Sequence, residues 1–126
     1  MPLGNTPSQN ENLDPLPPGL VTIAADIVDK ATLIASRGFY RDQIPEDDSL
    51  REKLKAEIKD DLRYILHELF IFSDYQYELA ESVLKAVEQI KQDILAIDRY
   101  LDDDWPEYPY ESLVRDTKSL YDNLEN

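Results

Sequence analysis

Apolar residues recur every three or four positions in the second half of the chain, the spacing of a helix with one buried face. The clearest run steps by 4, 3, 4, 3 and 4 residues and consists of Val83, Val87, Ile90, Ile94, Ile97 and Leu101. The positions between them are mostly charged or polar, which suits a solvent-facing surface. The pattern predicts a helix over about 75–101 whose apolar seam faces a core.

Similar stripes predict three more helices, over about 19–36, 49–72 and 110–124. Their apolar positions are Leu20, Ala24, Ile27, Ala31 and Ile34, then Leu54, Ile58, Leu62, Ile65, Leu69 and Phe72, then Leu113, Thr117, Leu120 and Leu124. Ser49 followed by Glu52 predicts a capping box at the start of the second helix. Gly38 is placed to stop the first helix, and Ser73-Asp74 to turn the second helix into the third.

The segments between these helices have their own signals. Residues 1–18 hold five of the eight prolines and predict a flexible tail. Pro45 forbids a continuous helix through 37–48, a loop in which Phe39, Tyr40 and Ile44 are expected to fold back on the core. At the opposite end, the aromatic residues Phe70, Phe72, Tyr75 and Tyr77 are expected to close the core.

Four amphipathic segments without a strand pattern predict an all-α fold, a four-helix up-down bundle over 19–126. The length of 126 residues is that of one ordinary domain. Only three glycines occur, fewer than the turns of an all-β domain of this size require.

The formal net charge of −14 limits the classes of partner that the chain can attract. A nucleic-acid backbone and an anionic membrane surface would both be repelled, so neither is an expected partner. A protein with a basic surface would be attracted. The chain has no cysteine, no long apolar run and no secretory signal, which together favour a cytoplasmic protein.

The sequence offers little for catalysis or metal binding. Its single histidine, His67, follows Tyr64 by three positions, where a bundle metal site would have a glutamate. The run Asp102-Asp103-Asp104 lacks the alternating ligands and the glycine of a calcium loop. No cofactor and no metal are therefore expected, and the chain is interpreted as not being an enzyme.

One catalytic alternative uses Arg63 and His67, which share a helix face. Such pairs cut RNA in HEPN-type ribonucleases, whose folds are also helical. That motif has four to six residues between the arginine and the histidine, whereas three stand here. A helical ribonuclease is thus an unfavoured alternative, testable through loss of RNA cleavage in His67→Ala.

The C-terminal quarter is the most acidic part of the chain. Residues 102–126 hold eight acidic and two basic residues, while the second helix is neutral. Aromatic residues typical of binding hot spots lie within this acidic segment. The predicted partner-binding residues are Asp102, Asp103, Asp104, Trp105, Glu107, Tyr108, Tyr110 and Glu111.

These features favour a non-catalytic protein that acts through protein–protein interaction, as an adaptor, small subunit or regulator of a larger assembly. A nucleic-acid mimic that occupies the basic groove of a DNA- or RNA-binding protein is an alternative with the same acidity. Self-association into a homo-oligomer is also open, because the first helix has more apolar surface than one bundle needs.

Overall fold

The structure, a computed structural model, describes residues 18–103 and 109–125. Four helices account for most of them: α1 (Pro18–Asp42), α2 (Ser49–Ser73), α3 (Glu81–Asp103) and α4 (Tyr110–Glu125). No strand occurs in this part of the chain. The predicted all-α, four-helix fold is confirmed.

The helices pack in a ring. Each contacts the next along the chain and α4 returns to α1, while the backbones of the diagonal pairs do not come close to each other within the described residues. The Tyr64 hydroxyl of α2 donates to Asp26 of α1 at 2.8 Å. Arg37, further along α1, pairs with Glu57, which lies earlier in α2, at 3.9 Å. The two helices are therefore antiparallel.

The remaining three helix pairs show the same reversed order, so the bundle runs up, down, up and down. For α2–α3, Lys55 pairs with Asp102, and Phe72 and Leu84 line one cavity. For α3–α4, Tyr100 meets Tyr110 and Asp93 meets Asp116. For α1–α4, Gly38 lies against Tyr110, and Val28 and Tyr121 line one cavity. The α1–α2 loop, the end of α3 and the start of α4 consequently lie at one end of the bundle.

The predicted stripes form the core. All six seam positions of α3 are buried, from Val83 to Leu101. The stripes of α1, α2 and α4 are buried as well, except that Leu54 and Leu124 are half-buried near helix ends. Spacing alone located the inward side of every helix because a 3.6-residue period fixes which side chains share a face.

The first helix is longer than predicted. It runs through Gly38 to Asp42, so the connection to α2 is confined to 43–48. The expectation that Phe39 and Tyr40 fold back on the core was wrong, since these side chains are 61% and 57% exposed. Both stand on the outer face of the extended α1, while Ile44 is half-buried.

The predicted helix starts also need correction. The cap of α2 is Asp48, whose Oδ1 accepts from the Leu50 amide at 2.9 Å, while Ser49 is already helical. The third helix begins at Glu81, because 74–80 form a turn held by backbone bonds such as Tyr75 N–H to the Phe72 carbonyl at 3.0 Å.

The predicted aromatic closure beside this turn is only partly correct. Phe72 is buried and Tyr75 is half-buried, but Phe70 and Tyr77 are 65% and 90% exposed. The predicted tail, apart from Pro18 at the start of α1, lies outside the described residues. No helix in the described part of the chain has the length and apolarity to cross a bilayer.

Candidate functional site: the acidic end of the bundle

The up-down topology brings two acidic segments to one end of the bundle. The C-terminal ends of α1 and α3 are joined directly, since Arg41 Nη2 donates to the Leu101 carbonyl at 3.4 Å. The Tyr100 hydroxyl donates to Asp42 Oδ2 at 2.8 Å. Residues that are distant in sequence thus form one surface.

We call this surface the acidic end. Its described members are the exposed carboxylates of the α1–α2 loop, of the α3 end and of the helix starts beside them: Glu46, Asp47, Asp48, Glu52, Asp102, Asp103 and Glu111. Sequence reasoning found only the part beginning at Asp102. The contribution of Glu46, Asp47 and Asp48 was missed, although the predicted up-down order already implied that the first and third connections share an end.

Two arginines at this end serve the fold. Arg41 is 3% exposed and its Nη1 lies 3.0 Å from Asp42 Oδ1. Arg51 Nη1 donates to the carbonyls of Arg41 and Ile44, both at 2.9 Å. These bonds satisfy carbonyls that α1 and α3 leave open at their C-terminal ends. Arg41 is therefore buried within the fold, and Arg51 holds the end of α1 and the loop that follows it.

Two lysines of α2 are held by α3. Lys59 Nζ lies 2.6 Å from Asp102 and 3.4 Å from Asp98, and Lys55 Nζ lies 3.3 Å from Asp102. The hydrogen bond with Asp102 is the main reason that the pKa of Lys59 is raised. The same bond lowers the pKa of Asp102, with help from Lys55. Asp102 is thus the most compensated carboxylate of the acidic end.

Four carboxylates keep their charge uncompensated. Within the described residues, no basic side chain pairs with Glu46, Asp47, Asp103 or Glu111. The seven carboxylates of the acidic end, with Asp42 beside them, outnumber the neighbouring cations Arg41, Arg51, Lys53, Lys55 and Lys59, so the field at this end is negative. Such a field raises the local concentration and the association rate of a cationic partner.

The structure separates the predicted partner-binding residues into three groups. Asp102, Asp103 and Glu111 are exposed at the acidic end. Tyr110 is fully buried and meets the Tyr100 ring edge-on at 5.6 Å between centroids, so it supports the fold instead of the surface. The other four, Asp104, Trp105, Glu107 and Tyr108, lie outside the described residues.

The alternative catalytic pair is exposed on the outer face of α2. Arg63 Nη1 is 2.6 Å from Asp60 Oδ1, an ion pair within the same helix. No hydrogen bond within the described residues joins Arg63 to His67. In the same part of the chain, no group of three or more His, Asp or Glu residues is arranged to hold a metal ion.

Two other carboxyl groups were missed by the sequence reasoning because each appeared to be a polar residue on a helix edge. Burial, together with a hydrogen bond with Asp116 across α3–α4, raises the pKa of Asp93 to about 7. Burial, together with a hydrogen bond with Asp26 across α1–α2, raises the pKa of Glu68 to about 7. Each interface therefore contains a carboxyl group that keeps its proton up to near-neutral pH.

Comparison of the chain with protein-family models, with curated proteins and with solved structures yields no match. The functional argument therefore rests on the geometry of the chain itself.

Proposed function

We propose that this chain is a non-catalytic protein that acts by binding another protein, and that a basic surface of that partner docks on the acidic end. The observation that carries the proposal is the joining of two acidic segments at one end, where carboxylates outnumber the neighbouring cations. Charge concentrated in this way favours fast association with a cationic surface more than it favours folding.

The proposal keeps the exposed carboxylates of the predicted site and adds the α1–α2 loop. Glu46, Asp47 and Asp103 are the three positions where charge can be reversed with least damage to the fold. Each is exposed, none caps a helix and none forms an ion pair within the described residues. Asp48 and Asp102 are left intact because they cap α2 and bind Lys59.

The test compares two variants that carry the same change in net charge. The first is Glu46→Lys/Asp47→Lys/Asp103→Lys. The control reverses Glu78, Glu88 and Asp122, which are exposed away from the acidic end. Both variants and the natural chain are immobilised and used to capture proteins from a lysate of the cells that express the chain, with elution by a salt gradient.

We expect a basic protein that the natural chain and the control retain and that the acidic-end variant loses. Its association rate with the acidic-end variant should fall about tenfold or more at low salt, and the difference should shrink as salt rises. Equal retention by both variants, salt-insensitive capture, or no protein captured by the natural chain would each contradict the proposal.

A further inference from the structure

A groove runs along the outside of the contact between α1 and α4. Two cavities of about 330 and 450 Å³ lie in it. The first is lined by Val28 and Tyr121 and the second by Ala35 and Val114, and all four of these side chains are half-buried. Because Lys118 lines both cavities, they form one continuous depression, which we call the α1–α4 groove.

The α1 wall of this groove carries no charge. Its residues are Ala25, Val28, Thr32, Ala35 and Phe39, which follow one another at steps of 3, 4, 3 and 4 and therefore share one helix face. Phe39 is 61% exposed at the end of the wall. At 1.5 Å per residue, the wall is about 21 Å long. The small side chains along it leave room for another helix to pack closely.

The α4 wall carries four charges in a definite order. Glu111, Arg115, Lys118 and Asp122 are all exposed and stand at steps of 4, 3 and 4 residues, so the order is acidic, basic, basic, acidic. Within the described residues, their one ion pair joins Arg115 to its neighbour Asp116 at 3.3 Å. Both ends of the wall therefore offer a carboxylate, and its centre offers two cations.

These charges select the kind of occupant. A second copy of the chain is disfavoured, because each copy carries a net charge of −14. Glu111 belongs both to the groove and to the acidic end, so a basic partner on the acidic end lies at the mouth of the groove. A helix presents side chains at steps of 4, 3 and 4 on one edge, which is the spacing of the α4 wall.

We propose that the α1–α4 groove binds an amphipathic helix of the partner that docks on the acidic end, an inference that rests on the proposed function. The apolar face of this helix packs on the α1 wall. Its adjoining edge carries basic, acidic, acidic and basic residues, which face Glu111, Arg115, Lys118 and Asp122 in turn. The order of charges, and not the net charge, then determines which helix fits.

The test uses two synthetic helical peptides of about 20 residues and identical composition. Both carry leucines at helical spacing on one face and four charges on the adjoining edge, at the spacing of the α4 wall. The first has the order lysine, glutamate, glutamate, lysine, and the second has the inverse order, so neither has a net charge. We expect the full chain to bind the first peptide about tenfold or more tightly than the second. Binding is followed by NMR, and the amides of Val28, Ala35 and Val114 should shift.

A variant of the α4 wall should erase this preference. In Arg115→Glu/Lys118→Glu all four charges are acidic, so each peptide meets two favourable and two unfavourable charges. Arg63→Glu/Lys85→Glu is the matched control with the same change in net charge. Arg63 and Lys85 are exposed on other helices, and Arg63 pairs with Asp60 within its helix as Arg115 does with Asp116. The control should keep the full preference, and circular dichroism shows that each variant retains the bundle.

Equal binding of the two peptides, or no saturable binding up to about 1 mM peptide, would overturn the proposal. So would loss of the preference in the control variant. Tighter peptide binding in the full chain with Leu13→Asp/Leu16→Asp would show that the N-terminal segment occupies the groove. Sedimentation in which the peptide separates associated copies would show that a second copy does. Either result would also overturn the proposal.

The groove and the acidic end can fail separately. The peptides have no net charge, so their relative affinities do not depend on attraction to the acidic end as a whole. Peptides bound equally well, beside a basic protein lost from Glu46→Lys/Asp47→Lys/Asp103→Lys, would reject the groove alone. A clear preference between the peptides without any basic protein captured would reject the proposed function and leave the groove as a helix-binding site.

Discussion

The ring of Tyr110, at the start of α4, lies against the backbone of Gly38 in α1. A side-chain carbon added at Gly38 would come within 2.6 Å of three carbon atoms of that ring. Tyr110 is fully buried and the edge of the Tyr100 ring also confines it, so it has little freedom to move away. The absence of a side chain at Gly38 is what lets α1 and α4 approach at this end of the bundle.

Gly38→Ala should therefore destabilise the bundle, although alanine is the better helix former. The gain in helix propensity is about 1 kcal/mol, and overpacking against a confined ring costs about 1–3 kcal/mol. We expect a net loss of up to about 2 kcal/mol in the free energy of unfolding, measured by urea denaturation. Gly19→Ala is the control, because no atom lies within 4 Å of its added carbon. A Gly38→Ala variant as stable as the Gly19→Ala variant would refute this account.

Asp93 should make the stability of the protein depend on pH. Burial raises the pKa of Asp93 from 3.8 to about 7, with help from the hydrogen bond with Asp116. Between these two values the folded state binds more protons than the unfolded state, so stability falls as pH rises from about 4 to 7 and then levels off. Asp93→Asn should flatten that slope and be more stable than the natural chain at pH 8, by about 1–2 kcal/mol.

The measurement is urea denaturation at several pH values between 4 and 8. The facing groups are Asp116 and Arg115 of α4 and Gln89 of α3. Asp103→Asn supplies the control, since Asp103 is exposed at the end of the same helix. An unchanged slope in Asp93→Asn would show that this carboxyl does not retain its proton in the folded state.

Glu68 should act in the same direction through the other pair of helices. Its pKa is raised from 4.5 to about 7, first by burial and then by the hydrogen bond with Asp26. Glu68→Gln should therefore also be stabilising at pH 8. Because the two carboxyl pairs lie in different helix interfaces, the effects of Glu68→Gln and Asp93→Asn should add. A double variant no more stable at pH 8 than the better single variant would contradict independent sites.

The seam of α3 can be tested at its centre. Ile90 is fully buried, and Ile90→Asp would place a carboxylate among apolar side chains. The expected cost is several kcal/mol, comparable with the stability of a domain of this size. Leu95→Asp, on the exposed side of the same helix, should change stability by only about 0.5 kcal/mol. Thermal melting followed by circular dichroism distinguishes them, and equal melting temperatures would mean that Ile90 does not face the core.

The sequence predicted the inward side of each helix because that side depends only on local spacing. It failed where a distant residue decides the outcome. Gly38 resembles a helix stop until Tyr110 is placed beside it, and the burial of Asp93 requires knowing that Asp116 packs across from it. The predicted start of α3 was wrong for another reason. Residues 74–80 are compatible with a helix, but their backbone hydrogen bonds are those of a turn.

The candidate site was likewise predictable only where neighbouring residues in the sequence define it. Exposed Asp102, Asp103 and Glu111 could be identified from charge and aromatic content within one stretch of chain. Glu46 and Asp47 could be added only from the structure, since the loop that carries them lies at the same end of the bundle as the end of α3. The reassignment of Tyr110 to the core likewise needed the position of Tyr100.

The four helix pairs of the ring are not equally close, and α2 and α3 approach each other at the fewest positions. Their link consists of the lysine–aspartate pairs at one end and apolar side chains around Phe72 at the other. In native-state hydrogen exchange, the contact between α2 and α3 should therefore open first, and the amides of α1 that face α4 should exchange last. The α2–α3 contact is thus expected to open while the other three helix contacts of the ring remain closed.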